Sequence, residues 1–198
     1  MMMLGTRRLA WRQRPARMLA APILALLAGA GLLAACSSDQ GSPRSRPCPQ
    51  VRVVNDASYL TRFGGPAEDL TNISFEARIT RSKSLCYYEE NRATGATTIR
   101  SEIQLEFGAS RGPNNPESAA RFRYRVGVTG PGGQLLPGAQ LMDVEIPFTA
   151  SRVQGTTQDE VLVYTPLNQG ENGDFYRIWI SLELTPQELD YNRRNPLQ

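Results

Sequence analysis

The sequence contains no histidine. That removes the side chain that most often serves as general base and as metal ligand. Ser-His-Asp and Cys-His arrangements cannot be assembled within the chain. Lysine is almost as scarce: Lys83 stands alone against 21 arginines, a bias that reads as genome composition. Lys–Ser and paired-carboxylate chemistry are the catalytic classes left open. Cysteine occurs three times, at positions 36, 48 and 86. Cys48 and Cys86 without any histidine make a poor metal set, so no metal is expected. No run of basic residues lies beyond the first 17 positions. The formal charge of +3 depends on Arg7, Arg8, Arg12, Arg14 and Arg17, which have no acid among them. Without those five the chain carries 17 basic groups against 19 acidic ones. A nearly neutral domain offers no electrostatic footprint for nucleic acid.

What is present begins with an address. Residues 1–17 are basic, and residues 18–35, "MLAAPILALLAGAGLLAA", are apolar. A basic start, an apolar stretch and a small-residue ending form a secretory signal. A stretch of about 18–20 apolar residues is also long enough to span a bilayer. Two features favour export and cleavage: the run is rich in Ala and Gly, and it ends in Leu33-Ala34-Ala35-Cys36. That tetrapeptide resembles the lipobox of bacterial lipoproteins. The resemblance implies cleavage between Ala35 and Cys36, a diacylglyceryl group on the Cys36 sulfur and an acyl chain on its new amino terminus. Several acyl chains hold a protein to a membrane where one would be marginal. Cys36 is followed by Ser37 and not by the Asp that retains such proteins at the inner membrane. By the same resemblance, the destination is the periplasmic leaflet of the outer membrane.

Residues 36–47 then form the lipidated terminus and a flexible tether. "SSDQGSPRSRP" has no apolar periodicity, and its eleven residues reach about 18 Å. From position 48 to 198 the pattern becomes alternation. "NISFEARIT", "TIRSEIQLEF", "ARFRYRVGV", "LMDVEIPF", "DEVLVYT" and "DFYRIWISLEL" each place apolar residues on one parity and polar ones on the other. "VRVV" and "SLCYYEE" are shorter candidates. Period two in β-branched and aromatic residues marks half-buried strands, and "SRGPNNPES", "TGPGGQ" and "NQGENGD" read as turns between them. Seven to nine such strands predict an all-β domain, a single antiparallel two-sheet sandwich of immunoglobulin-like kind. A closed β-barrel is the alternative. Complementary charges suggest that residues 99–107 pair with 120–128, setting Glu102 opposite Arg125 and Glu106 opposite Arg121. Thr185-Pro186-Gln187-Glu188 is a capping box with Pro at the first helical position, so a short helix is expected from Pro186 to about Arg194.

With Cys36 taken by lipid, Cys48 and Cys86 remain, and export places them in an oxidising compartment. A disulfide between them is expected. Candidate binding features are few. Phe175, Arg177 and Trp179 share the more polar parity of their strand and could form a partner patch, unless the helix or a loop covers them. Arg121, Arg123 and Arg125 form a basic stripe, explained most simply as a solvated face paired with glutamates. No catalytic residue and no cofactor other than the covalent lipid is indicated.

The stretch "CPQVRVVNDASYLTRFGGPAEDLTNISFEARI" and the ending "LTPQELDYNRR" resemble a family of uncharacterised lipoproteins from alphaproteobacteria. The matching positions include Cys48-Pro49, Asp56-Ala57, Leu60-Thr61, Asp69-Leu70-Thr71 and Phe75-Glu76-Ala77. The resemblance implies an envelope location and no particular activity. The expectation is a non-enzymatic envelope module that meets the bilayer through Cys36 and an envelope protein or glycan through its domain. The alternatives are a carboxylate-based hydrolase of envelope glycans and a carrier of a small apolar ligand.

Overall fold

A computed structural model describes residues 46–149, 151 and 153–197. The cleavage and lipidation residues Ala35 and Cys36 lie outside these. The described chain runs β1 (Gln50–Val53), β2 (Tyr59–Phe63), β3 (Ile73–Glu90), β4 (Thr97–Arg111), β5 (Ala119–Thr129), β6 (Gln140–Pro147), β7 (Gln154–Leu167), β8 (Arg177–Leu182) and α1 (Pro186–Arg194). The strands form two four-stranded sheets, in the orders β1-β8-β5-β6 and β2-β3-β4-β7. The domain is thus a β-sandwich and not a closed barrel. All pairings are antiparallel except β1 with β8, which run parallel.

The inward parity of each strand supplies the core. Ile103, Leu105 and Phe107 of β4 meet Phe122, Tyr124 and Val126 of β5 across the gap, together with Ile146, Val161, Ile178 and Ile180. Phe107 packs edge-on to Phe122 at 5.8 Å and tilted against Tyr124 at 5.0 Å, measured between ring centroids. These two aromatic contacts cross between the sheets. The Tyr124 hydroxyl, at the end of a fully buried ring, donates to Asp159 Oδ2 on β7 at 2.7 Å and ties the two layers together.

The expected pairing of residues 99–107 with 120–128 does not form. β4 is flanked by β3 and β7, whereas β5 lies in the other sheet between β6 and β8. Residues 112–118 carry the chain from one layer to the other. Alternating charge identifies a solvated face but not the strand that will lie beside it. Each arginine of the stripe finds its acid elsewhere: Arg121 on Glu145 of β6, and Arg123 and Arg125 on Glu183 just beyond β8. Glu106 takes Arg81 of β3.

β3 unites two segments that read separately in the sequence. Its register with β4 shifts between Ile79 and Arg81, leaving Thr80 as an extra residue. Such a bulge inverts the facing of everything beyond it. Before it, Ile73, Phe75 and Ala77 are buried. After it, Ser82, Ser84, Cys86 and Tyr88 stand opposite the inward residues Leu105, Ile103, Ser101 and Ile99, so Leu85 and Tyr87 face outward.

Cys86 is bonded to Cys48, with Cα atoms 5.8 Å apart. The bond fastens the entering chain to the far half of β3. Beside it the Tyr88 hydroxyl donates to Pro47 O at 2.6 Å and accepts from Gly173 N at 2.8 Å. Gly173 is required by this close approach. A Cβ there would stand 2.1 Å from Pro47 O.

The helix forms where its cap predicts. Thr185 Oγ1 accepts from Glu188 N at 3.2 Å, and Glu188 Oε2 accepts from Thr185 N at 2.8 Å. α1 packs on β2 and on the turn Asn55–Ala57. Its anchor is the buried Asn192, whose Nδ2 donates to Asp56 O and Tyr59 O, each at 2.8 Å. Phe63 and Tyr191 add an edge-on aromatic contact at 5.1 Å.

Candidate functional site

Three surface features emerge from this frame. The first is a groove of about 750 Å³ between the outer face of the β5-β6-β8 sheet and the start of α1. Arg121 and Arg123 of β5, Asp143 and Glu145 of β6, Glu183 and Glu188 line it, with Arg62 at its end. The alternation of β5 and β6 sets these side chains outward in facing rows, Arg121 opposite Glu145 and Arg123 opposite Asp143. Glu183 is clamped by Arg123 at 2.6 Å and Arg125 at 3.2 Å. Glu145 holds Arg121 at 3.0 Å, and Glu188, 9% exposed, holds Arg62 at 3.0 Å while closing the helix cap. Both oxygens of each of these three glutamates are engaged by N–H donors. Three carboxylates outside the groove are held as anions. Arg194 and Gln187 hold Glu68 below the usual range, Thr71 does so for Asp69, and the Tyr176 hydroxyl does so for Glu171. Each favours a permanent anion, the reverse of what a general acid needs.

The second feature is the expected partner patch. Arg177 and Trp179 lie on the outward parity of β8, and Phe175 lies in the 3-10 turn before it. Trp179 stands beside Gly127 of β5 and Arg52 of β1. Its indole N–H donates to Thr129 Oγ1 at 3.0 Å. α1 does not lie over these residues, because it packs against β2. Phe175 and Trp179 stay 45% and 37% exposed. The side chains are accessible, and among the described residues the Trp179 indole has a hydrogen-bond partner.

The third feature was not anticipated from the sequence. On the outer face of the β2-β3-β4-β7 sheet, Leu85 and Tyr87 of β3 flank β4 on one side, and Leu162 and Tyr164 of β7 flank it on the other. The register sets Tyr87, Arg100 and Tyr164 in one row and Leu85, Glu102 and Leu162 in the next. The Arg100 guanidinium lies 4.6 Å from the Tyr87 ring centroid and is gripped by Glu89 at 2.6 Å and by Glu102. The signal was present in "VLVYT", which is apolar on both parities and so reads as a strand covered on both faces. Alternation alone hides it, because Val161 and Val163 already satisfy the core.

Among the described residues, no three His, Cys, Asp or Glu side chains gather as a metal site, and no helix is long and apolar enough to cross a membrane. Comparison with protein-family models, curated proteins and solved structures yields no match of any of the three kinds.

Proposed function

We propose that this chain is a lipoprotein of the bacterial envelope, held by diacylglyceryl and N-acyl chains on Cys36, and that residues 48–198 act as a non-enzymatic binding or structural module. The observation that carries this reading is the order of basic segment, apolar segment and Leu33-Ala34-Ala35-Cys36. The Cys48–Cys86 bond adds support: disulfides persist in exported proteins, and this one leaves Cys36 outside the pair. Ser37 after the lipidated residue favours the periplasmic leaflet of the outer membrane. The interior is filled by side chains of both sheets, which argues against a carrier that needs an open apolar cavity. Glu145, Glu183 and Glu188 of the groove are tied to arginines, which argues against a hydrolase built on them. The test is intact-mass analysis of the protein extracted from membranes, for wild type and Cys36→Ala. Wild type is expected to begin at Cys36 and to carry acyl chains, and the variant to lack them. A wild-type chain that retains residues 1–35, or that has no added lipid mass, overturns the proposal.

A further inference from the structure

We infer that the outward face formed by Leu85, Tyr87, Leu162 and Tyr164 docks on the surface of the bilayer to which the chain is anchored. This rests on the lipoprotein reading and deepens it.

The first support is position. The chain enters the domain through Cys48, which is bonded to Cys86, the residue between Leu85 and Tyr87. Arg46 pairs with Glu90 at 3.2 Å, and Tyr88 holds Pro47, so the tether joins the domain at the end of the sheet that bears the patch. From Cys36 to Cys48 a fully extended chain spans about 40 Å and a relaxed one about 18 Å. A domain on so short a leash presents this end of itself to the membrane.

The second support is chemistry. The four side chains are 63%, 43%, 41% and 57% exposed in sequence order. Tyrosine has an apolar ring and a wet hydroxyl, the combination enriched where hydrocarbon gives way to headgroups. Arg100, the cation amid the patch, pairs with both Glu89 and Glu102 of the same face, and the trio keeps one net negative charge. Each charge of that trio has a partner of opposite sign when the apolar side chains around it shed water.

The third support is size. The exposed area of the four side chains is on the order of 400 Å², about half of what one partner contributes to a standard stable interface. That is too little for a firm dimer between free copies. It is enough for a surface already held near the bilayer, where tethering supplies an effective concentration of about millimolar. The Thr80 bulge also turns Leu85 and Tyr87 outward. No core requirement explains that placement.

The test uses the lipidated full protein reconstituted in phosphatidylethanolamine–phosphatidylglycerol vesicles with brominated acyl chains. After signal removal Trp179, on the other sheet, is the tryptophan of the native chain. A Tyr164→Trp, Trp179→Phe variant moves the reporter into the patch. Docking predicts that the reporter at 164 is quenched about twofold or more while Trp179 in the native chain is little affected, since bromine reaches only groups near the acyl boundary. Adding Leu85→Gln and Leu162→Gln should abolish most of that quenching without changing flotation. If the protein floats with vesicles and carries its lipid, but position 164 is unquenched or Trp179 is quenched more, the docking inference fails and the anchor stands. Absent quenching with a doubled mass in detergent assigns the face to a second copy instead. A chain that neither floats nor carries lipid overturns both.

Discussion

Replacing Cys48 and Cys86 together by serine should cost the domain most of its margin without changing its fold. The bond closes a loop with a sequence separation of 38 residues. The chain-entropy relation gives about 4 kcal/mol for a loop of that length, an upper value because denatured chains retain some structure. The native side of the balance changes little. Pro47 remains held by Tyr88 at 2.6 Å, Gly173 still packs beneath it, and Arg46 still reaches Glu90. The effect therefore acts through the unfolded state, which expands when the loop opens. Urea denaturation should show a loss of about 2–4 kcal/mol with a steeper dependence on denaturant, since more surface is exposed on unfolding. The melting temperature should fall by roughly 5–15 °C. A loss below about 1 kcal/mol, or a shallower slope, would refute this account, because the staple would then not be restricting the denatured chain.

Two further outcomes follow from buried polar groups. Asn192→Ala removes both donors from Asp56 O and Tyr59 O inside the joint between α1 and β2; the expected cost is about 2–4 kcal/mol, read by urea denaturation, with Asn192→Asp costing more because a carboxylate would face two carbonyls. Alkali should unfold the domain through its buried phenols. Burial, then the hydrogen bond to Glu171, pushes Tyr176 up to about 12, and burial also raises Tyr59 and Tyr124. A pKa raised in the folded state means stability that is intact below the ordinary tyrosine value of about 10 and is lost as pH climbs from there towards 12. Phenolate absorbance should therefore rise in two steps, the second coincident with loss of the β-sheet circular-dichroism signal, and a single step that precedes unfolding would contradict the assignment.

How much of this was legible in the sequence depends on the range of the interaction that decides each feature. The helix at Pro186–Arg194 is set by four adjacent residues, and its cap forms as those residues dictate. The inward parity of β4, β5 and β8 is set within each strand by alternation, and Ile103, Phe122 and Ile178 are buried accordingly. The disulfide was expected between the two cysteines that remain when the lipobox resemblance assigns Cys36 to lipid, and Cys48 is bonded to Cys86. Partner choice is different. Whether Arg121 meets Glu106 or Glu145 depends on which layer the loop 112–118 enters, and nothing local to either strand decides that. The parallel docking of β1 on β8 joins residues more than 100 positions apart, and four residues of "QVRV" carry no mark of direction.

The outer face between β3 and β7 is the most instructive case, because two non-local events had to coincide to make it. A single unpaired residue, Thr80, inverts the parity of the second half of β3 and sends Leu85 and Tyr87 outward. The pairing of β4 with β7 then brings Leu162 and Tyr164 to the same two rows. Either event alone would leave scattered exposed apolar residues, which any soluble domain tolerates. Together they concentrate four on one face around an arginine paired with two glutamates, beside Cys86 of the disulfide. A sandwich whose sequence was shaped by its own core alone would place polar residues at all four positions, as it does at Lys83, Gln104 and Glu160 in the next row. The change from polar to apolar between adjacent rows of one sheet face therefore argues for a surface that meets something other than water.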